Sequence, residues 1–300
     1  MSARAEPALG VIGGSGLYAM EGLAELEEVR LATPFGEPSD AFVVGRLAGT
    51  RLVFVPRHGR GHRIAPTEIN SRANLWGLKA LGATRVLSIS AVGSLREDIV
   101  PGDFVAVDQF IDRTRHRPDT FFERGVVAHV LFADPTCGDL RAALVRAARA
   151  TGVKVHAGGT YVNMEGPQFS TRAESRLYRS WGADVIGMTN LQEARLAREA
   201  ELCYATLAMA TDYDCWHTAD VTVEAILAVM AENVAHARAT IRGVVPLLAP
   251  ERGCACKDAL RYAILTEPGK IPPEARDRLA LFLDRYLATE PAPAPSRTAT

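Results

Sequence analysis

The apolar run Cys203–Ala210 stops at the polar segment Thr211-Asp212-Tyr213-Asp214-Cys215-Trp216. The run is too short to span a bilayer, and the break after it marks it as a buried strand. Such a strand needs a sheet around it, and the chain offers partners. Leu9–Ile12, Val86–Ala91, Phe104–Phe110, Val153–His156, Thr160–Met164 and Val185–Met188 all read as extended. Ala41–Gly45 and Arg51–Val55 flank a turn at Gly49 and form a hairpin signal. Between these segments lie helix patterns over Glu68–Leu81, Leu140–Ala150, Thr171–Trp181, Asn190–Ala200, Val223–Leu247 and Ala275–Leu287, and a shorter helix-like stretch over Tyr18–Glu28. Strands alternating with helices predict an α/β fold, and the hairpin makes its central sheet mixed.

The 300 residues, 48% of them hydrophobic, suffice for one large core. No internal repeat or low-complexity linker divides the chain, so a single domain is expected over residues 1–289. The Pro- and Ala-rich segment 290–300 is expected to be a disordered tail. The net charge is −1 and no basic run is present, which argues against a nucleic-acid partner. The start of the chain lacks an export signal, and five scattered cysteines argue against a secreted disulfide scaffold. A cytoplasmic protein without a membrane partner is expected.

Several segments carry candidate chemistry. Strand ends in α/β folds are where ligands bind, and residues two apart on an extended chain point to one side, so Asp212 and Asp214 are expected to face one pocket. A purine presents an acceptor at N7 and a donor at its amino group, which a carboxylic acid meets together. The bland alternative is a solvated loop with an Asx turn. Ile12-Gly13-Gly14-Ser15-Gly16 is a glycine-rich turn whose N–H groups suit an anion. The same turn fits a loose dinucleotide fingerprint through Ala19, but no second parallel strand ending in an acidic residue follows. Arg57-His58-Gly59 at a strand end suits a substrate phosphate, against the alternative of a basic surface loop. His58 and His62 have metal-pair spacing but no neighbouring ligand, and no metal is expected there. Ser88–Leu95 and Gly187-Met188-Thr189 each bring hydroxyl groups to a strand end, and Glu165–Ser170 combines a carboxylate with Phe169. Cys254-Ala255-Cys256 lacks partner ligands; a disulfide there is a stabilising option, and two ordinary thiols are the alternative.

Taken in order, Gly-Gly-Ser-Gly-Leu (13–17), Thr-Pro-Phe-Gly-x-Pro-Ser-Asp (33–40), Arg-His-Gly-x-x-His (57–62), Gly-Ser-Leu-Arg-x-x-Ile-x-Pro-Gly-Asp (93–103), Asp-Gln-Phe-Ile-Asp-Arg-Thr (108–114), Glu-Gly-Pro-x-Phe-Ser-x-Arg-Ala-Glu-Ser (165–175) and Thr-Asp-Tyr-Asp-Cys-Trp (211–216) closely resemble the methylthioadenosine phosphorylases. These belong to the trimeric purine nucleoside phosphorylase group. The resemblance spans about residues 9 to 245. It implies a partly barrel-like mixed sheet, assembly as a trimer or a hexamer of trimers, and phosphorolysis of a 5′-modified deoxyadenosine. Inorganic phosphate would be co-substrate, with no metal or organic cofactor.

By the same resemblance Ser15, Arg57, His58, Ser90, Ala91 and Thr189 match the phosphate site. Met188 matches the ribose contact, and Ser170, Asp212 and Asp214 match the base site, with Phe169 beside the purine. Val223, Ile226 and Leu227 match the apolar 5′ pocket, to which His129 would be supplied by a neighbouring subunit. Two positions depart from the family pattern: Gly187 stands where an Asn is usual, and Gln192 stands where a Pro precedes the Glu. They leave open a paralogue for another substituent, such as a 5′-halo compound, or a broader purine phosphorylase. From another class, a nicotinamide-dependent enzyme rests on Gly14–Ala19 alone.

Overall fold

The structure is a computed structural model that describes residues 6–14, 16–217 and 223–287. Ser15 and the tail 290–300 lie outside the described residues, as do the side chains of Val223 and Ile226. The strands are β1 (Ala8–Gly13), β2 (Leu23–Val29), β3 (Phe42–Leu47), β4 (Thr50–Pro56), β5 (Ala83–Ser94), β6 (Phe104–Ala106), β7 (Gln109–Arg113), β8 (Val155–His156), β9 (Thr160–Met164), β10 (Val185–Gly187) and β11 (Cys203–Asp212). The helices are α1 (Ser71–Ala80), α2 (Gly138–Arg149), α3 (Arg172–Ser180), α4 (Asn190–Glu199), α5 (Val223–Val244) and α6 (Pro273–Leu287).

The 11 strands among the described residues belong to one mixed sheet, and the sheet forks at β5. Along one branch the order runs β2-β3-β4-β1-β5. Beyond β5 one arm continues through β10, β9 and β7, and the other through β11, β6 and β8. The fork follows from strand lengths. β1 pairs with β5 only as far as Ile12 opposite Ser88, whereas β11 follows β5 to Gly93. β10 then joins antiparallel at Gly93 and Ser94. Residues Ile89 to Val92 therefore lose a strand neighbour on one side, and a cleft opens there.

Side-chain alternation along the strands divides the core in two. From β1, Ala8 and Ile12 join a cluster with Leu75 and Leu78 of α1, Leu196 of α4 and Phe282 of α6. Leu9 and Val11 face the other way, onto Leu140 and Leu144 of α2 and Ile241 of α5. β11 is buried from Cys203 to Thr211, as its uninterrupted apolar sequence requires of a strand covered on both faces.

Two expected elements differ. The helix expected over Tyr18–Glu28 is absent: the chain turns at Gly22 (φ 82°) and forms β2, an edge strand antiparallel to β3. β2 is largely solvent-exposed, so its Glu-rich, helix-compatible composition carries no buried alternation to reveal a strand. The dinucleotide reading needed a helix at this point and falls with it. The strand expected over Phe104–Phe110 is divided into β6 and β7, which enter different arms of the fork. The break lies at Asp108, whose carboxylate accepts the Gly159 N–H at 3.1 Å.

Helix α1 packs on the sheet through Gly77, where any Cβ would overlap the Phe42 ring. Ala gains about 1 kcal/mol over Gly in a helix, but overpacking a rigid ring costs about 1–3 kcal/mol. Gly77→Ala is thus expected to lower the free energy of denaturant unfolding; an increase would show that α1 is free to shift.

Candidate active site

The cleft at the fork is anchored by Arg57, which follows β4 directly. Its backbone N–H donates to the Gly13 carbonyl at 2.9 Å, so the ends of β1 and β4 hold it in place. Only 3% exposed, its side chain fills the gap left where β1 ends beside β5. Arg57 NH1 donates to the Ile89 carbonyl at 3.0 Å, an acceptor that the shortened β1 leaves free. Nε and NH2 grip the Glu193 carboxylate at 2.5 and 3.2 Å, and NH2 also donates to Ser88 Oγ at 2.6 Å. Burial alone would lower the Arg57 pKa, but the Glu193 carboxylate outweighs it and the net shift is upward. The pair is buried on both sides.

Three hydroxyl groups and a helix end surround this anchor. Ser90 is buried, while Ala91 beside it on β5 is exposed. Thr189 is the N-cap of α4 and makes no side-chain capping bond; Asn163 Oδ1 accepts from the Leu191 N–H at 3.1 Å, so the positive end of that helix lies beside the Thr189 hydroxyl with one of its N–H groups already taken. Tyr161 of β9 stands beside them, its hydroxyl 3.5 Å from the Thr189 backbone nitrogen, while Ser90 Oγ donates to the Ala91 carbonyl at 3.3 Å. Glu193 sits one turn into α4, so the same helix supplies both the dipole and the carboxylate that fixes Arg57. His58 stacks on His62 with ring centroids 4.3 Å apart, and its Nδ1 lies 2.9 Å from the Ile64 carbonyl. Burial and then the Arg57 charge push the His58 pKa down to about 4, so the ring is neutral near pH 7. Its proton sits on Nδ1 facing that carbonyl, which leaves Nε2 as an acceptor.

The two aspartates meet at the other end of the cleft, by a route the pleat does not provide. Asp212 ends β11, but Asp214 opens a single 3-10 turn with φ 51°, so the pair is not on one extended strand. The turn folds Asp214 back until its N–H donates to Asp212 Oδ1 at 2.8 Å. Both aspartates then crowd Gly93 of β5, where a Cβ would lie 3.1 Å from Asp212 Oδ1 and 3.2 Å from the Asp214 Cβ. Asp212 Oδ2 accepts from Thr211 Oγ1 at 2.7 Å, and Asp214 Oδ2 from Ser175 Oγ of α3 at 2.5 Å. Burial raises both pKa values against these hydrogen bonds. The sequence assigns no role to Ser175 or Tyr161, whose positions on α3 and β9 carry no local signal that they turn towards the cleft, whereas Ser88 lies in a segment expected to bring hydroxyl groups there.

The loop between β9 and α3 closes one side. Gly166 (φ 69°) comes so near Met188 that a Cβ would lie 2.5 Å from its sulfur. Arg117 binds this loop to the strand end, donating to the Met188 and Glu165 carbonyls and from Nε to Glu165 Oε1 at 3.0 Å. Ser170 is buried beside Met164, its carbonyl accepts from Cys215 Sγ at 3.1 Å, and neighbouring Phe169 is 64% exposed. Leu227 is exposed on α5. His129 lies apart from this cleft, on an exposed segment whose backbone N–H donates to the Ala263 carbonyl at 2.8 Å.

The sequence pattern of the phosphorylase superfamily matches residues 8–246. The chain belongs to the phosphorylase superfamily. Among its relatives, the S-methyl-5′-thioadenosine phosphorylase of Geobacter sulfurreducens is 59% identical over 285 residues, covering 94% of this chain and all of the relative. That of Koribacter versatilis is 54% identical, covering 95% and 98%. A crystal structure of a methylthioadenosine phosphorylase from an antarctic soil metagenomic library superposes with a TM-score of 0.90 at 45% identity, covering 94% and 100%. A Schistosoma mansoni adenosine/methylthioadenosine phosphorylase mutant in complex with methylthioadenosine gives 0.80 at 38%, covering 85% and 96%.

Both departures from the phosphorylase pattern have packing explanations. A Cβ at Gly187 would overlap the Tyr161 hydroxyl, so Gly187 makes room for that ring. Gln192 replaces a proline with a side chain that works: its Nε2 donates to Thr114 Oγ1 at 2.9 Å, and its Oε1 accepts from Asn163 Nδ2 at 3.4 Å.

Removing one partner of a buried ion pair leaves the other charge uncompensated, at a cost of about 3–5 kcal/mol. Glu193→Ala should therefore lower stability by that order in chemical denaturation, and a loss below about 1 kcal/mol would mean water reaches Arg57. Gly187→Asn should fold poorly alone and improve when Tyr161→Val is added. Independent effects of the two changes would refute the steric coupling.

Proposed function

We propose that the protein catalyses phosphorolysis of S-methyl-5′-thioadenosine to adenine and 5-methylthioribose 1-phosphate, with inorganic phosphate as co-substrate and no cofactor. The observation that carries this reading is the placement of a buried, charge-balanced arginine and a helix N-terminus in one cleft with two carboxylates of raised pKa. The glycosidic C–N bond breaks as the sugar takes oxocarbenium character. Asp212 donates a proton to purine N7 so that the base leaves neutral, and Asp214, held by Ser175, orients the base. Phosphate stabilises the sugar cation and then attacks C1 to form the new C–O bond.

Four of the five Arg57 N–H groups are used on Ile89, Ser88 and Glu193, which leaves one for phosphate among the described residues. The Arg57–Glu193 pair carries no net charge, so most of the grip on phosphate falls to Ser15, Ser90, the Ala91 backbone, Thr189 and the α4 terminus. His58 Nε2 accepts a hydrogen bond from the P–OH of monohydrogen phosphate, whose proton stays on the phosphate. Met188 meets the ribose and Phe169 and Ser170 the base, while Val223, Ile226 and Leu227 line the 5′ pocket.

Self-association as a trimer or a hexamer of trimers completes this proposal. His129 is surrounded by exposed apolar residues, among them Leu131 (86% exposed) and Tyr262 (90%). Leu265 and Val127 are exposed beside them, joined by a backbone hydrogen bond of 2.9 Å. An exposed patch of this kind marks a protein interface, and His129 at its centre reaches a neighbour's 5′ pocket. No described helix is long and apolar enough to cross a membrane, and the proposed compartment is the cytoplasm.

The test is adenine release from methylthioadenosine with and without phosphate, beside adenosine, inosine and a 5′-halo-5′-deoxyadenosine. Phosphate-dependent cleavage favouring methylthioadenosine is expected; phosphate-independent release or preference for another nucleoside would overturn the reading. Asp212→Asn should lower kcat by about 10²–10⁴-fold with little change in substrate binding. Because burial raises the Asp212 pKa, its acid form persists to higher pH than an ordinary carboxyl, and kcat should fall as pH rises through that pKa. An alkaline limb that survives in Asp212→Asn would assign the proton to another group.

A further inference from the structure

Four of the five cysteines converge at one point far from the cleft. Cys137, Cys203, Cys254 and Cys256 have all their sulfur atoms within 4.8 Å of one another. Three of the four are buried and Cys254 is half-buried, and none of them is joined in a disulfide. They come from three places in the fold. Cys137 is the N-cap of α2, Cys203 begins β11, and Cys254 and Cys256 bracket the start of a single 3-10 turn after α5. The expectation that the Cys254–Cys256 pair lacks partner ligands is thereby corrected, since its partners lie far away in sequence.

We propose that these four thiols form a tetrahedral structural site for one thiophilic divalent cation of the zinc type. The geometry separates this from two alternatives. Four sulfurs around one zinc at about 2.3 Å stand about 3.8 Å apart, which suits a cluster whose Cys203–Cys254 contact is 3.3 Å and whose sulfurs all lie within 4.8 Å of one another. Two disulfides would gather the sulfurs into two separate pairs, whereas here each sulfur is near all three others. An iron–sulfur cluster places its own iron and sulfide atoms between the thiolates and needs wider spacing. C-x-C is also a spacing at which two thiols reach a single ion from one turn.

The surroundings suit a dianionic tetrathiolate. The N-terminus of α2 directs its dipole at Cys137, and helix N-termini favour the thiolate form. A cavity of about 180 Å³ beside Cys137, Cys203 and Cys254 gives an approach for the ion, and its lining balances Arg85 and Arg252 against Asp139 and Glu251. Arg252 NH1 donates to the Thr84 carbonyl at 3.2 Å and also to the Glu201 carbonyl, so its charge is fixed against the strand starts. Binding would displace the thiol protons and tie the segment after α5 to β11 and α2. Cys203 and Asp212 stand at opposite ends of β11, about 30 Å apart at the rise of an extended strand, so the ion holds the fold and takes no part in the reaction.

The decisive experiment is elemental analysis of the full chain purified under reducing conditions, followed by cobalt(II) replacement. One zinc per chain and, after exchange, intense sulfur-to-cobalt charge transfer with tetrahedral d–d bands are expected. Cys254→Ser combined with Cys256→Ser should lose the ion, and Cys215→Ser should keep it. Chelation of the wild-type protein under reducing conditions should lower Tm by several degrees, reversibly with zinc, and leave kcat/KM at room temperature unchanged. Wild-type protein that takes up neither zinc nor cobalt, or that contains two disulfides or iron with acid-labile sulfide, would overturn the proposal. Because these results are read on the wild-type chain, a variant that fails to fold does not obscure them.

Discussion

The Arg57 guanidinium stands where another turn of β1 would have continued the sheet. β5 outlasts β1, and the carbonyl left at Ile89 is taken by Arg57 instead of by a strand. A cation in that place is tolerable only because Glu193 of α4 meets it with two oxygens. The ion pair thereby fixes the register between the end of β4 and the start of α4. It also stands at the gap beside β5 where the proposed phosphate site lies. The cleft exists because the sheet is interrupted there, and the interruption is stable because its charges are balanced.

This arrangement divides the labour of the proposed reaction along β5. Its middle, at Ser90 and Ala91, is proposed to hold phosphate together with Arg57, the neutral His58 and the α4 N-terminus. Its far end, at Gly93, meets Asp212 and Asp214, whose carboxyl groups burial pushes towards their acid forms. A glycosidic bond laid along the strand would have its nucleophile held at one point and its leaving group protonated at the other. Tyr161 stiffens the joint between them, and the absence of a side chain at Gly187 is what admits its ring.

Much of this was legible in the sequence, for reasons that differ by residue. β11, α2, α3 and the β3–β4 hairpin follow from unbroken apolar runs, period and turn residues. Arg57, Asp212 and Asp214 were visible because strand ends carrying such residues are where α/β folds bind ligands. Their geometry was not: the aspartates converge through a turn with positive φ, which pleat alternation does not describe. Glu193 was seen only as part of a motif, because a pairing across 136 residues leaves no periodic trace. β2 escaped because an exposed edge strand rich in Glu has no buried face to reveal it. The cysteine cluster escaped because Cys137 and Cys203 are brought to Cys254 and Cys256 only by the packing of α2 on β11.

The account stands most directly on a crystal structure of the full chain soaked with phosphate and adenine. It predicts phosphate within hydrogen-bond reach of Arg57, Ser90 and Thr189, and purine N7 facing the Asp212 carboxyl in the same cleft. Phosphate bound elsewhere, or a purine whose N7 points away from both aspartates, would contradict it.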